Sequence, residues 1–151
     1  MKNALLFVDI DMTVCDTSAQ DCFLPEIPNG ESSFMNWEEM IAKIDHPPHA
    51  AGVEEVMRLS EQHGKTVFLT GRSVRLAAAT KAWMARHLPE LSKNEYSFRP
   101  VGDIMSTVDS KIRRIRAICR AYGYQRATII DDDERLEEPV LSIGHNFRRA
   151  P

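Results

Sequence analysis

The most constraining stretch is the run Ala4-Leu5-Leu6-Phe7-Val8, which ends abruptly in Asp9-Ile10-Asp11-Met12-Thr13. An apolar run this short reads as a strand buried on both faces. Two carboxylates two positions apart at its exit are costly to bury without a partner. Like charges this close repel unless a cation sits between them, and a hard divalent ion such as Mg2+ prefers oxygen ligands. Whatever fold the chain adopts must supply what that pair lacks.

The apolar runs further on alternate with helical patterns. Val67-Phe68-Leu69, between Gly64 and Gly71, reads as a second strand, and Ala127 to Ile130, ending in Asp131-Asp132-Asp133, as a third. Tyr96 to Val101 and Val140 to Ile143 are weaker strand signals, and Gly144 to Phe147 with Arg148 and Arg149 is a further candidate for a strand and tail. Val53, Val56, Met57 and Ser60 fit one face of a helix capped near Gly64. Leu76, Ala79, Thr80, Trp83, Met84 and His87 fit a second, with Ser73 as its N-cap and Pro89 beyond its end. Ile112, Ile115, Ile118, Cys119 and Tyr122 fit a third between Ser110 and Gly123. Continuous apolar strands separated by helices imply an α/β fold, with a mostly parallel sheet covered on both faces and the Asp9 strand near its centre.

The stretch from about 15 to 52 breaks this rhythm. It holds Pro25, Pro28, Gly30, Pro47 and Pro48 around one short helical pattern, Phe34, Trp37, Ile41 and Ile44. Too short to hold a core of its own, it is expected to be an insertion in a single domain spanning residues 1–151. A chain of 151 residues with 43% apolar and 27% charged content suits one globular domain. Its net charge of -3 gives no general attraction to nucleic acid or anionic membrane, while leaving room for a local basic groove. No apolar run approaches the roughly 20 residues that span a bilayer, and the acidic start makes a poor signal peptide. Cys15, Cys22 and Cys119 lack metal-type spacing, so reduced thiols in a cytoplasmic protein are expected.

In open α/β sheets ligands bind beyond the carboxyl ends of the strands. Three strands here end in Asp9-Ile10-Asp11-Met12-Thr13, Thr70-Gly71-Arg72 and Asp131-Asp132-Asp133. Parallel strands bring these ends to one edge. The two acidic clusters could share a metal, Thr70 and the Gly71 amide could donate to an oxyanion, and Lys111 could approach from its helix. A metal site, a carboxylate nucleophile, oxyanion donors and a lysine suit phosphoryl transfer, where positioning and charge neutralisation carry most of the catalysis.

In this order, Phe7 to Thr13, Phe68 to Arg72, Lys111 and Ile129 to Asp132 resemble the four motifs of the haloacid dehalogenase (HAD) phosphatase superfamily. The likeness runs from Leu5 to about Leu136. Trp37-Glu38-Glu39, the Pro47-Pro48 turn, Gly52-Val53-Glu54 and Thr70-Gly71-Arg72 are also similar to the phosphatase domain of phage-type polynucleotide kinase/phosphatases. The resemblance implies a Rossmann-like core with a small or absent cap and a Mg2+-dependent phosphomonoesterase. It implies that Asp9 attacks phosphorus to form an aspartyl phosphate, and that Asp11 protonates the leaving oxygen and then activates water. Thr70 and Gly71 would hold the transferring phosphoryl group, with Thr13 and Arg72 also contacting substrate, and Lys111 would neutralise nucleophile and phosphate. Mg2+ would sit on Asp9, the backbone carbonyl of Asp11 and an acid of the third cluster, for which Asp132 matches best and Asp131 or Asp133 are alternatives.

Met12 stands where the first motif commonly has glycine, so a turn needing positive φ would strain it. Arg113, Arg114, Arg116 and Arg120 are expected on the wet face of their helix, with nucleic-acid contact as the sharper alternative. Gly64-Lys65-Thr66 resembles the end of a Walker A loop, but Leu59 stands where its first glycine is needed. The resemblance implies a phosphorylated substrate as partner, preferably a nucleic-acid 3' end, with a nucleotide or sugar phosphate as the alternative, and no membrane is expected. A binding module that keeps the fold without turnover is the reading from another class.

Overall fold

The computed structural model describes residues 3–19 and 31–151, with side chains from residue 37 onward in the second stretch. Cys22, Pro25, Pro28, Gly30 and the Phe34 side chain lie outside the described residues. Five strands form one sheet: β1 (Leu5–Val8), β2 (Lys65–Ser73), β3 (Glu95–Arg99), β4 (Ala127–Asp131) and β5 (Asn146–Arg149). Their order is β3-β2-β1-β4-β5 and every pairing is parallel. The helices are α1 (Glu31–Lys43), α2 (Ala50–Gln62), α3 (Ala77–His87), α4 (Thr107–Tyr122) and α5 (Glu137–Ser142).

The central position of β1 follows from its sequence. Successive side chains point to opposite faces, and both faces are covered. Leu6 and Val8 pack with Val56 and Leu59 of α2 and Trp83 and Met84 of α3. Leu5 and Phe7 pack with Ile115 and Cys119 of α4 and Val140 of α5. The chain moves outward from β1 to β2 and β3 through helices on the first face, then returns by α4 on the second face to β4 and β5. The strand order therefore reverses between β1 and β4, and a crevice outside their carboxyl ends is the place where such a sheet binds ligands.

Several elements differ from the sequence expectation: β2 runs on through Thr70-Gly71-Arg72 to Ser73, and α3 begins at Ala77 with no side-chain cap from Ser73. Val140 to Ile143 is not a strand: residues 137–142 are α5, and Leu136, Val140 and Ile143 recur at helical spacing on the second core. Leu141, in the same apolar run, is 53% exposed. The α4 helix starts earlier than Ser110. Ser106 is its N-cap, accepting at Oγ from the Asp109 amide at 3.1 Å, so Lys111 lies in the second turn. At the far end Gly123 takes the left-handed C-cap conformation at φ 72°. Residues 146–149 are the fifth strand, and residues 95–99 are the strand signalled around Tyr96.

Candidate active site

Asp9 leaves β1 with its amide bonded to the Ile130 carbonyl at 3.0 Å, which sets it beside the end of β4. The chain then folds into a tight loop. The Ile10 carbonyl accepts from the amides of Thr13, Val14 and Cys15, and Met12 closes the turn by donating to the Cys15 carbonyl at 2.8 Å. Met12 has φ 62°, the positive value at which a side chain is strained. Thr13 is buried, with Oγ1 3.3 Å from Asp9 Oδ2.

The segment before α2 clamps this loop. His49 donates its amide to the Val14 carbonyl at 2.8 Å, and Asp16 donates to the Pro47 carbonyl at 2.9 Å. Gly52, in the first turn of α2, lies against the Thr13 carbonyl so closely that a Cβ there would stand 1.6 Å from the oxygen. The glycine is required by close approach, not by φ.

Lys111 joins the two strand ends. Its Nζ donates to Asp9 Oδ1 at 2.8 Å and to Asp131 Oδ2 at 2.6 Å, and all three side chains are buried. Asp9, Asp131 and Asp132 bring one carboxylate oxygen each to within 4.8 Å of one another. Burial pushes the Asp9 carboxyl up to about 7, helped by the Asp131 charge and resisted by Lys111. Asp132, although its residue is exposed, is pushed up to about 6 by partial desolvation of its carboxyl and by the neighbouring Asp9. Burial also raises Asp131. For Lys111 burial opposes the ammonium, but Asp9 and Asp131 together outweigh it and hold the lysine above its ordinary range. One lysine thus faces three carboxylates. The surplus negative charge, the oxygen-only donors and their mutual distances fit a hard divalent cation.

Asp11 is held from the β2 side. Arg72 donates from Nε to its Oδ2 at 3.0 Å and from NH2 to its Oδ1 at 2.6 Å. The guanidinium is 3% exposed and donates also to Thr80 Oγ1 at 3.0 Å. Arg72, expected on the substrate phosphate, thus directs its donors to Asp11 and Thr80. Thr70 is fully buried, and its hydroxyl oxygen accepts from the Arg72 amide at 3.0 Å. Gly71 lies open on the cleft between them.

Asp9, Asp11, Gly71, Lys111, Asp131 and Asp132 line one cleft of about 560 Å³. Residues that the sequence analysis did not assign to the site also reach this cleft. Trp37, from the short helical pattern of the inserted stretch, lines it together with Thr17, Arg135 and Arg149. Glu38 is buried and accepts from the Ser73 amide at 2.9 Å, tying α1 to the end of β2. Arg114 is not on the wet face: it donates from NH2 to the Thr70 carbonyl at 2.9 Å and from NH1 to the Ser97 carbonyl at 2.8 Å. Its spacing of three from Lys111 was the available signal, since i and i+3 share a helix face. Arg113, Arg116 and Arg120 do lie outside, along a shallow hollow with Ile112 and Asp109. Among the described residues no helix is long and apolar enough to cross a membrane.

No family model matches the chain, and no curated protein does. Among solved structures it is similar to a hydrolase from Streptococcus pneumoniae TIGR4, with a TM-score of 0.59 and 12% identity over 98% of this chain and 92% of that one. At that identity the likeness is one of fold, and the fold is a parallel α/β sheet flanked by helices on both faces.

Proposed function

We propose that the protein is a Mg2+-dependent phosphomonoester hydrolase of the HAD type, working through an aspartyl phosphate on Asp9. The observation that carries this reading is Lys111 Nζ bonded at once to Asp9 and Asp131 across the β1–β4 crevice, with Asp11 gripped by Arg72 two residues along. The fold likeness to a hydrolase and the four-motif resemblance support it.

In this mechanism Asp9 Oδ attacks phosphorus as the ester P–O bond breaks. Asp11 gives its proton to the departing oxygen, then takes one from the water that attacks the aspartyl phosphate, so that inorganic phosphate leaves and the Asp9 carboxylate returns. Lys111 balances charge on Asp9 and on the incoming phosphoryl oxygens. Thr13 orients Asp9. The Gly71 amide, with Thr70 beneath it, faces the transferring group. Arg72 aims Asp11, and Arg114 holds the Thr70 carbonyl so that the Thr70–Gly71 end of β2 keeps its shape. Mg2+ would be held by Asp9, Asp132 and the Asp11 backbone carbonyl, with Asp131 beside it, and would supply charge neutralisation for the phosphate oxygens.

The preferred substrate is a phosphate on a nucleic-acid 3' end or a nucleotide. A panel of 3'- and 5'-phosphorylated oligonucleotides, mononucleotides and sugar phosphates, assayed for phosphate release with Mg2+ and with chelator, tests the reading. Release should require Mg2+ and vanish in Asp9→Asn. Silence across the panel would leave a binding module on the same fold as the better description.

A further inference from the structure

Two hollows away from the catalytic carboxylates carry opposite charge. Helix α4 packs Ile115 and Cys119 onto the second face of the sheet, and α5 packs Val140 onto the same face. Each helix leads from the carboxyl edge back to the start of the next parallel strand, so the two run in the same direction. His145, just past α5, brings Nε2 to 3.9 Å from Cys119 Sγ, which marks the helices as neighbours.

The outer side of α4 is basic. Arg113, Arg116 and Arg120 line its hollow with Met105 and Ile112, and Asp109 is the one acid there. Their separations of three, four and seven keep the three arginines on one side of the helix. The outer side of α5 and of the turn before it is acidic, where Glu134, Glu137 and Glu138 line a second hollow with Leu141 and Ser142. Among the described residues Arg116, Arg120, Glu137 and Glu138 make no ion pair.

Each hollow also has an exposed apolar residue. Leu141 lies within the acidic one, and Ile104, next to Met105 at the head of the basic one, is 98% exposed. The Ile104 loop is braced, because Asp103 accepts from the Met105 amide at 2.9 Å and from Ser110 Oγ at 2.7 Å. A large apolar side chain held in water on a braced loop is a preformed contact.

A single charged row is an ordinary wet face. Two rows of opposite sign, running alongside each other on one face, are self-complementary. A two-fold axis between the rows and parallel to the helices carries each row onto the other, so that arginines meet glutamates twice. An axis across the helices would set like charges together. The net charge of -3 leaves little general repulsion between copies.

We propose that this face binds a second copy of the chain, closing a two-fold dimer in which Arg113 and Arg116 face the partner's Glu137 and Glu138. The charged rows set register and steer encounter, and Ile104 and Leu141 supply apolar contact.

Sedimentation equilibrium of the full chain over a wide concentration range tests this. The mass should rise from 17.1 kDa toward twice that value and stop there, and added salt should favour dissociation. R113E/R116E makes both rows acidic, and E137R/E138R makes both basic. Each variant alone should dissociate at least about tenfold more readily than the wild type. Mixed in equal amounts, the two should dimerise again, because each copy then meets the opposite sign at both contacts. The neutral variant R116Q/E138Q removes charge without adding repulsion and should weaken association in the same direction, and thermal unfolding checks that every variant is folded. A species of 17.1 kDa at every concentration overturns the proposal. So does a mass that grows past two copies, a dimer unmoved by these variants, or a mixture of folded reversed variants that stays monomeric. A monomeric wild type that binds a single-stranded oligonucleotide, with binding lost in R113E/R116E, would assign the arginine row to nucleic acid instead.

Discussion

Arg72 holds Asp11 by both carboxylate oxygens, across 61 residues of sequence, while the same guanidinium is tied to Thr80. The fork geometry fixes the plane of the Asp11 carboxylate, and a lysine cannot reproduce it. If Asp11 passes protons to the leaving oxygen and from the attacking water, its aim should matter more to turnover than to binding. Arg72→Lys should therefore lower kcat by about 100-fold, the lower range of what a positioned acid–base group contributes, with KM changed little. Steady-state phosphate release with the protein's thermal unfolding checked in parallel would show this. An unchanged kcat in a folded Arg72→Lys protein would mean that the pair is structural.

Gly52 offers a test of the loop clamp. A methyl group there would lie 1.6 Å from the Thr13 carbonyl oxygen and 2.8 Å from its carbon, so α2 and the Asp9–Thr13 loop must separate. The neighbour that would have to yield is backbone, which has little freedom to move. Gly52→Ala should destabilise the fold by about 3 kcal/mol, the upper range for overpacking, despite the better helix propensity of alanine. Urea denaturation measures it. A loss of less than about 1 kcal/mol would show that the clamp is loose.

Met12 makes the opposite prediction. Its backbone sits at φ 62° in the turn that connects Asp11 to Thr13. A residue with a Cβ costs about 1–2 kcal/mol in that region, and glycine does not. Met12→Gly should stabilise the protein by about 1 kcal/mol in the same denaturation experiment, after allowance for the greater entropy of glycine in the unfolded chain. No gain would mean that contacts of the Met12 side chain at the cleft offset the strain.

Asp9, Asp11 and Asp131–Asp132 could be placed together from sequence because parallel strands deliver their carboxyl ends to one edge whatever the loops do, whereas Lys111, on α4, was placed only by the motif order of the resemblance. Partners chosen by packing were not legible in that way. Arg72 stands near the carboxyl end of β2 just as a phosphate-binding arginine would, and only the folded chain reveals Asp11 against its guanidinium. Arg114 was hidden because a helix started at Ser110 leaves the first turn, and the inward face through Lys111 and Arg114, poorly defined. Val140 to Ile143 was misread because four apolar residues fit either period until Leu136 is included. The positive φ at Met12 was legible only through the resemblance, whose first motif commonly has glycine at that position.

The carboxylate cluster predicts how stability should depend on pH and on Mg2+. Asp9 and Asp132 are raised to about 7 and about 6 in the folded protein from the ordinary aspartate value of 3.8. Between those values and the unfolded pKa the native state binds more protons than the unfolded chain, so stability falls as pH rises. In chelator the protein should be most stable near pH 4 with respect to these two groups, lose stability through pH 6 to 7, and level off above. A divalent cation binds the ionised carboxylates, so its stabilisation must grow over the same window as it displaces those protons. Unfolding free energies measured from pH 5 to 8, with Mg2+ and with chelator, should therefore diverge as pH rises. Asp132→Asn should reduce the divergence by weakening the ion's site. Parallel curves with and without Mg2+ would show that the three carboxylates hold no such ion.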